Sequence, residues 1–158
     1  MIETIVGDLT DSKEKYIVHQ TNCVSHFAAG IATAIFSKFP HSNVYSSRME
    51  EDVPGDIVIC GNGNDLRYVV NLMGQYYPGG PQQAVIDSEL TRRTYFHKAL
   101  MKLAKIKDLE SIAFNYRIGC GIAGGDWNWY KGTLENFATY VEHTQGAKTF
   151  IYQREGDV

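Results

Sequence analysis

Two periods of apolar residues run along the chain. Residues 2–6 (IETIV), 15–20 (KYIVHQ), 56–60 (DIVIC), 67–73 (RYVVNLM), 111–116 (SIAFNY) and 148–153 (KTFIYQ) are short apolar or alternating runs, which predict strands. The runs at 56–60 and 67–73 are apolar enough to predict buried strands. A helical period appears over 30–39, where Ile31, Ala34, Ile35 and Lys38 recur. It is clearest over 89–107. There Phe96, Ala99, Leu100, Leu103 and Ala104 form one apolar face, and Lys98, Lys102, Lys105 and Lys107 lie mostly off it. A further helix is expected near 130–143. Alternating strands and helices predict an α/β sandwich around a mixed or mostly parallel sheet. The segments 40–55 and 74–88 lack either period, and the turn-rich second one is expected to cross the surface.

Composition narrows the class. The 158 residues are 44% hydrophobic and 21% charged, with a net charge of −3, which excludes a disordered chain and gives no reason to expect a basic nucleic-acid surface. One domain spanning 1–158 is expected. No apolar run reaches a membrane span of about 18 residues, and MIETIVGDLT lacks the basic start and apolar stretch expected of a signal peptide. Cys23, Cys60 and Cys120 show no CxxC spacing. A reducing cytoplasm is the expected home, without a disulfide framework or a metal cluster.

The unusual number is glycine, 15 against 4 prolines. Gly119-Cys120-Gly121-Ile122-Ala123-Gly124 is formally GxGxxG after a strand. The dinucleotide reading fails on context. Only one strand follows, and no acidic residue stands at a strand end about 20 positions on. What remains is a glycine-rich turn that exposes backbone N–H groups, a phosphate site needing no basic side chain, or else a purely structural turn. A second small-residue turn, Phe27-Ala28-Ala29-Gly30-Ile31-Ala32, also lies between strand and helix, and two such loops would suit a diphosphate. Asp8, after the first strand, is an Asx-turn residue or an acceptor for an adenine amino group.

In this order, GDLT, HQTNC, AAGIA and RIGCGIAGGDW resemble a macro domain over nearly the whole chain. The resemblance implies a three-layer α/β/α sandwich with a mixed, mostly parallel central sheet, and ADP-ribose as the small-molecule ligand, with no cofactor. Carried across, it places Asp8 on the adenine amino group with Gly7 and Leu9 beside it, and Asn22 against the distal ribose. Ala29, Gly30 and Ile31 would form one diphosphate loop. Ile118, Gly119, Cys120, Gly121, Ile122 and Ala123 would form the other, and Tyr152 would stack on or edge against the adenine. A monomer without nucleic-acid or membrane partners is expected.

His19, Cys23 and the GGDW ending at Asp126-Trp127 are most similar to the branch that dephosphorylates ADP-ribose 1″-phosphate. A neighbouring branch, which removes ADP-ribose from protein or thymidine, uses a lysine where this chain has Gln75. Its members acting on glutamate place an aspartate where Ala123 stands, and both departures weigh against that chemistry. No Cys-x5-Arg, DxD pair or two-metal ligand set is present. Water attack is left, with Asn22 orienting ribose or water and His19 or Asp126 moving a proton. His26 is an alternate. Each has a plainer role open to it: His19 as a satisfied core residue, Asp126 as a helix cap. Three functions stay open: the phosphatase, an ADP-ribosyl hydrolase, and a binder without catalysis. The aromatics Tyr116, Trp127, Trp129 and Tyr130 form a wall of the cleft or pack the last helix.

Overall fold

The structure, a computed structural model, describes residues 1–156. In chain order the elements are β1 (Ile2–Val6), β2 (Tyr16–Asn22), α1 (Ile31–Lys38), β3 (Ile57–Cys60), β4 (Tyr68–Gln75), α2 (Glu89–Ala104), β5 (Ser111–Asn115), α3 (Trp127–Gln145) and β6 (Lys148–Gln153). Strands and helices thus fall where the apolar periods put them, with boundaries shifted by a few residues. α3 begins at Trp127, earlier than the pattern suggests. The Asp126 carboxylate accepts from Asn128 N at 3.0 Å and caps the helix there, and Gly146, at φ +68°, ends it.

The six strands are ordered β1-β6-β5-β2-β4-β3. All neighbours are parallel except β3, which pairs antiparallel with β4. Parallel neighbours need crossovers, and the helices that make them cover both faces. On one face α1 lays Ile35 and Phe36 against Ile17, Val69 and Ala113. On the other, α2 and α3 pack Phe96, Leu100, Leu103, Leu134 and Val141 over Val18, Val70, Leu72 and Phe114. The result is the expected three-layer sandwich. The apolar face read for α2 is wholly buried. One expectation needs correction. The run at 56–60 is not a buried strand but an edge strand with a single neighbour, and Ile59 on it is 40% exposed.

Phe96 is fully buried and meets the rings of Trp129 and Tyr130 edge-on, at centroid distances of 6.2 and 4.7 Å. Phe96→Ala is expected to destabilise the fold by about 3–5 kcal/mol. Leu90→Ala, at an exposed position of the same helix, should shift stability by no more than about 0.5 kcal/mol. Urea unfolding of the two variants checks the contrast.

Candidate functional site

A parallel sheet brings the C-terminal ends of its strands to one edge, and loops leaving that edge enclose a crevice. Here the crevice is a cleft of about 550 Å³. The chain just after β1 contributes Asp8 and Leu9 to it, β2 Gln20 and Asn22, and β4 Gln75. The end of β5 and the residues after it contribute Asn115, Tyr116 and Arg117, and β6 contributes Tyr152. The strand order puts Asp8 and Tyr152 at one end, and Gln75 with Pro78 and Gly79 at the other.

Both small-residue loops face this cleft. Ala29, Gly30 and Ile31 form one wall, and Ile118 to Ala123 the opposite one. Gly30, at φ +61°, starts α1, and no side chain caps it. The other helix starts are capped by the side chains of Asp8, Ser88 or Asp126, except for short 3-10 turns. In the first turn of α1 Thr33 N donates to Gly30 O at 3.1 Å, and the N–H groups of Ile31 and Ala32, at the positive dipole end, are left to whatever fills the cleft. The opposite loop is folded by bonds from the N–H groups of Cys120, Gly124 and Gly125 to the carbonyls of Arg117, Gly121 and Gly119. The amides of Gly121, Ile122 and Ala123 take no part in these bonds. The glycines divide by task. Gly121 faces open space, but a Cβ at Gly119, itself at φ +77°, would stand 2.5 Å from the Tyr130 ring. Gly119 is therefore required by packing as well as by exposure.

At the Asp8 end, one carboxylate oxygen accepts from Thr10 N and Thr10 Oγ1, both at 2.8 Å. These bonds hold the carboxyl below its usual range, so Asp8 is ionised and keeps its second oxygen for another donor. The Tyr152 hydroxyl donates to Glu14. Burial, then that bond, pushes the phenol up to about 12. Gly7 lies behind this end rather than in the cleft wall. Its N–H is spent on Gln153 O at 2.9 Å, and the Tyr152 ring lies 3.6 Å from where its Cβ would stand.

At the far end, Asn22 is buried. Its Oδ1 accepts from Val24 N at 3.1 Å and Ser25 N at 2.8 Å, and its Nδ2 donates to Tyr45 Oη at 3.2 Å. One N–H remains for a ligand. Gln75 spends its amide on Tyr77 O at 2.8 Å and accepts from Gln20 Nε2 at 2.7 Å. Gly74 is a strand residue that makes room for this pair, since a Cβ there would lie 2.3 Å from Gln20 Oε1.

The proton-transfer groups expected from the sequence are not in the cleft. His19 has no exposed surface and bonds through Nε2 to Asn71 Oδ1 at 2.8 Å, its register partner on β4. Burial lowers its pKa to about 4, against a smaller upward effect of the Asn71 bond. Asp126 caps α3 and stands 4.0 Å from Arg93, and neither it nor the exposed His26 lines the cleft. The plainer alternatives for His19 and Asp126 describe their places. Cys120 lines the cleft but is buried, and burial pushes its thiol up to about 12. Of the four aromatics, Tyr116 lines the cleft while Trp127, Trp129 and Tyr130 pack against the core. Gln20, inside the HQTNC motif but given no role there, also lines it, as do Tyr45 and Asn115, which carry no motif. Only their places at strand ends or in the loose 40–55 segment could have marked them.

The His19 environment predicts a pH effect. The folded protein holds the imidazole neutral down to about pH 4, whereas the unfolded chain takes the proton near 6.5. The associated stability is complete above about pH 6.5 and is lost as pH falls toward 4. His19→Gln should flatten the slope of stability against pH in that window, read by urea unfolding at a series of pH values.

A family model for the macro domain matches residues 18–130, more than half of the chain. No curated protein matches it. Among solved structures, the macrodomain of Thermus aquaticus DarG has 22% identity and a TM-score of 0.73, covering 97% of this chain and 98% of that one. The macrodomain of Mycobacterium tuberculosis DarG has 20% identity and a TM-score of 0.73, covering 96% and 97%. A macrodomain mutant of Oceanobacillus iheyensis with ADPR has 20% identity and a TM-score of 0.66, covering 96% and 83%. At these identities the structures speak for the fold alone, and the family match goes further: the chain belongs to the macro domain family.

Proposed function

We propose that the cleft binds ADP-ribose, with the adenine at the Asp8 and Tyr152 end, the diphosphate between the two loops and the distal ribose toward Asn22 and Gln75. Family membership supports the ligand class. The observation that carries the reading is the pair of facing walls with N–H groups left over from the fold. Such walls let a protein of net charge −3 hold a diphosphate without a basic surface. The free oxygen of Asp8 accepts the adenine amino group, and the spare N–H of Asn22 donates to a ribose hydroxyl.

Binding is the step this arrangement serves best, because the distal end presents carboxamides from Gln20, Asn22 and Gln75. Dephosphorylation of ADP-ribose 1″-phosphate is the second reading. It is supported by the amide-rich walls, which would steady the phosphate while water attacks phosphorus and the ribose oxygen leaves. With His19 and Asp126 outside the cleft, the substrate phosphate itself would accept a proton of the attacking water and pass it to the departing ribose oxygen. The ADP-ribosyl hydrolase reading has less support, since the Gln75 amide has no nucleophilic lone pair to offer and is tied to Tyr77 and Gln20.

Calorimetry with ADP-ribose tests the first reading, and a protein that binds none overturns it. Asp8→Asn keeps the turn to Thr10 but sets a donor against the adenine amino group, and should weaken binding about tenfold, from the worth of a hydrogen bond to a charged group. A phosphate-release assay with ADP-ribose 1″-phosphate tests the second. Turnover that survives unchanged in Asn22→Ala would remove the role given to that residue.

A further inference from the structure

The loop after β4 forms the far wall of the cleft, and something must fix its distance from the glycine-rich loop opposite. That something is a buried ion pair outside the ligand-facing residues. Arg92, on α2, is 2% exposed and Asp87 fully buried. The guanidinium grips both carboxylate oxygens, Nε to Oδ1 at 3.1 Å and Nη2 to Oδ2 at 2.7 Å. The same carboxylate accepts from Tyr76 N at 2.7 Å and Tyr77 N at 3.0 Å, so the chain leaving β4 is folded around it. The remaining reach of the guanidinium goes to backbone carbonyls. Nη2 donates to Tyr77 O at 3.1 Å and Gly80 O at 3.0 Å, and Nη1 to Gly79 O at 2.8 Å. Nη1 also donates to Ala123 O at 3.3 Å, across in the opposite loop. Gly79 and Ala123 both line the cleft.

We infer that Arg92, locked by Asp87, is a positioning residue that sets the width of the distal end of the cleft by holding Gly79 and Ala123 through one rigid group. This rests on the ADP-ribose reading of the cleft. A core with no such task would be served as well by apolar side chains, because replacing a buried ion pair by packed hydrophobics is often neutral or stabilising. A planar fork can hold carbonyls from two segments at once, and a lysine ammonium on a flexible stem cannot fix their spacing in the same way. Arg92 has no donor left for a ligand, so its influence passes through the two walls.

The distal wall meets the ribose beyond the diphosphate, while AMP would occupy only the Asp8 end. Arg92→Lys is therefore expected to weaken ADP-ribose about tenfold, the worth of a lost hydrogen bond of a charged group, and to leave AMP within about twofold of wild type, by NMR titration of both ligands. The double variant Asp87→Leu/Arg92→Met removes both charges together. It should show the same selective loss, with folding checked by its thermal transition, and it decides the matter if the single variant does not fold. Equal weakening of the two ligands, or no change in either, overturns the positioning role. Failure of wild-type protein to bind ADP-ribose would instead strike the underlying reading, before any variant is compared.

Discussion

Parallel pairing is the constraint on which the rest of this molecule depends. Because β1, β6, β5, β2 and β4 run the same way, their C-terminal ends arrive together at one edge of the sheet. Backbone polar groups at that edge find no ladder partner beyond the last strand residue, and they must be satisfied by turns, side chains or a ligand. The cleft is the place where this accounting is left open. Its polar side chains come from strand ends, and its N–H groups are those that the internal bonds of the two loops leave over.

What the edge leaves open, buried arginines organise from behind. Arg48 donates to Ser25 O at 2.9 Å, to Asn22 O at 3.0 Å and to Asp52 at 2.8 Å, beneath the loop that follows β2. Arg92 plays the corresponding part beneath the loop that follows β4. Both guanidinium groups bind main chain rather than solvent, and each is anchored by one carboxylate. In this acidic protein these two cations serve as internal ties instead of ligand contacts.

The sequence made the elements legible, because apolar period and turn chemistry act locally. The α2 face, the uncapped small-residue start of α1 and the glycine turn after β5 all stand where their residues indicate. What escaped depends on registers between distant segments. His19 looked fit for proton transfer until β4 brought Asn71 opposite it. Nothing near residues 56–60 shows that this strand has a neighbour on one side only. Gly74 reads as a loose turn residue until Gln20, 54 positions earlier by number, is found lying across it. Arg92 left a faint local sign, since it stands four residues before Phe96 on the buried face of α2. An arginine in that register needs an anion, and Asp87 is five residues away.

The bare start of α1 has a consequence for the cleft as a whole. This helix is eight residues long and begins at a glycine that offers it no side-chain acceptor, so by itself it is marginal. An anion seated between the loops would complete its first turn as a serine or aspartate does elsewhere in the fold. The ligand would then be an interchangeable part of the scaffold, a cap supplied from solution. The order of α1, and of the wall it carries, would rise and fall with ligand concentration by mass action.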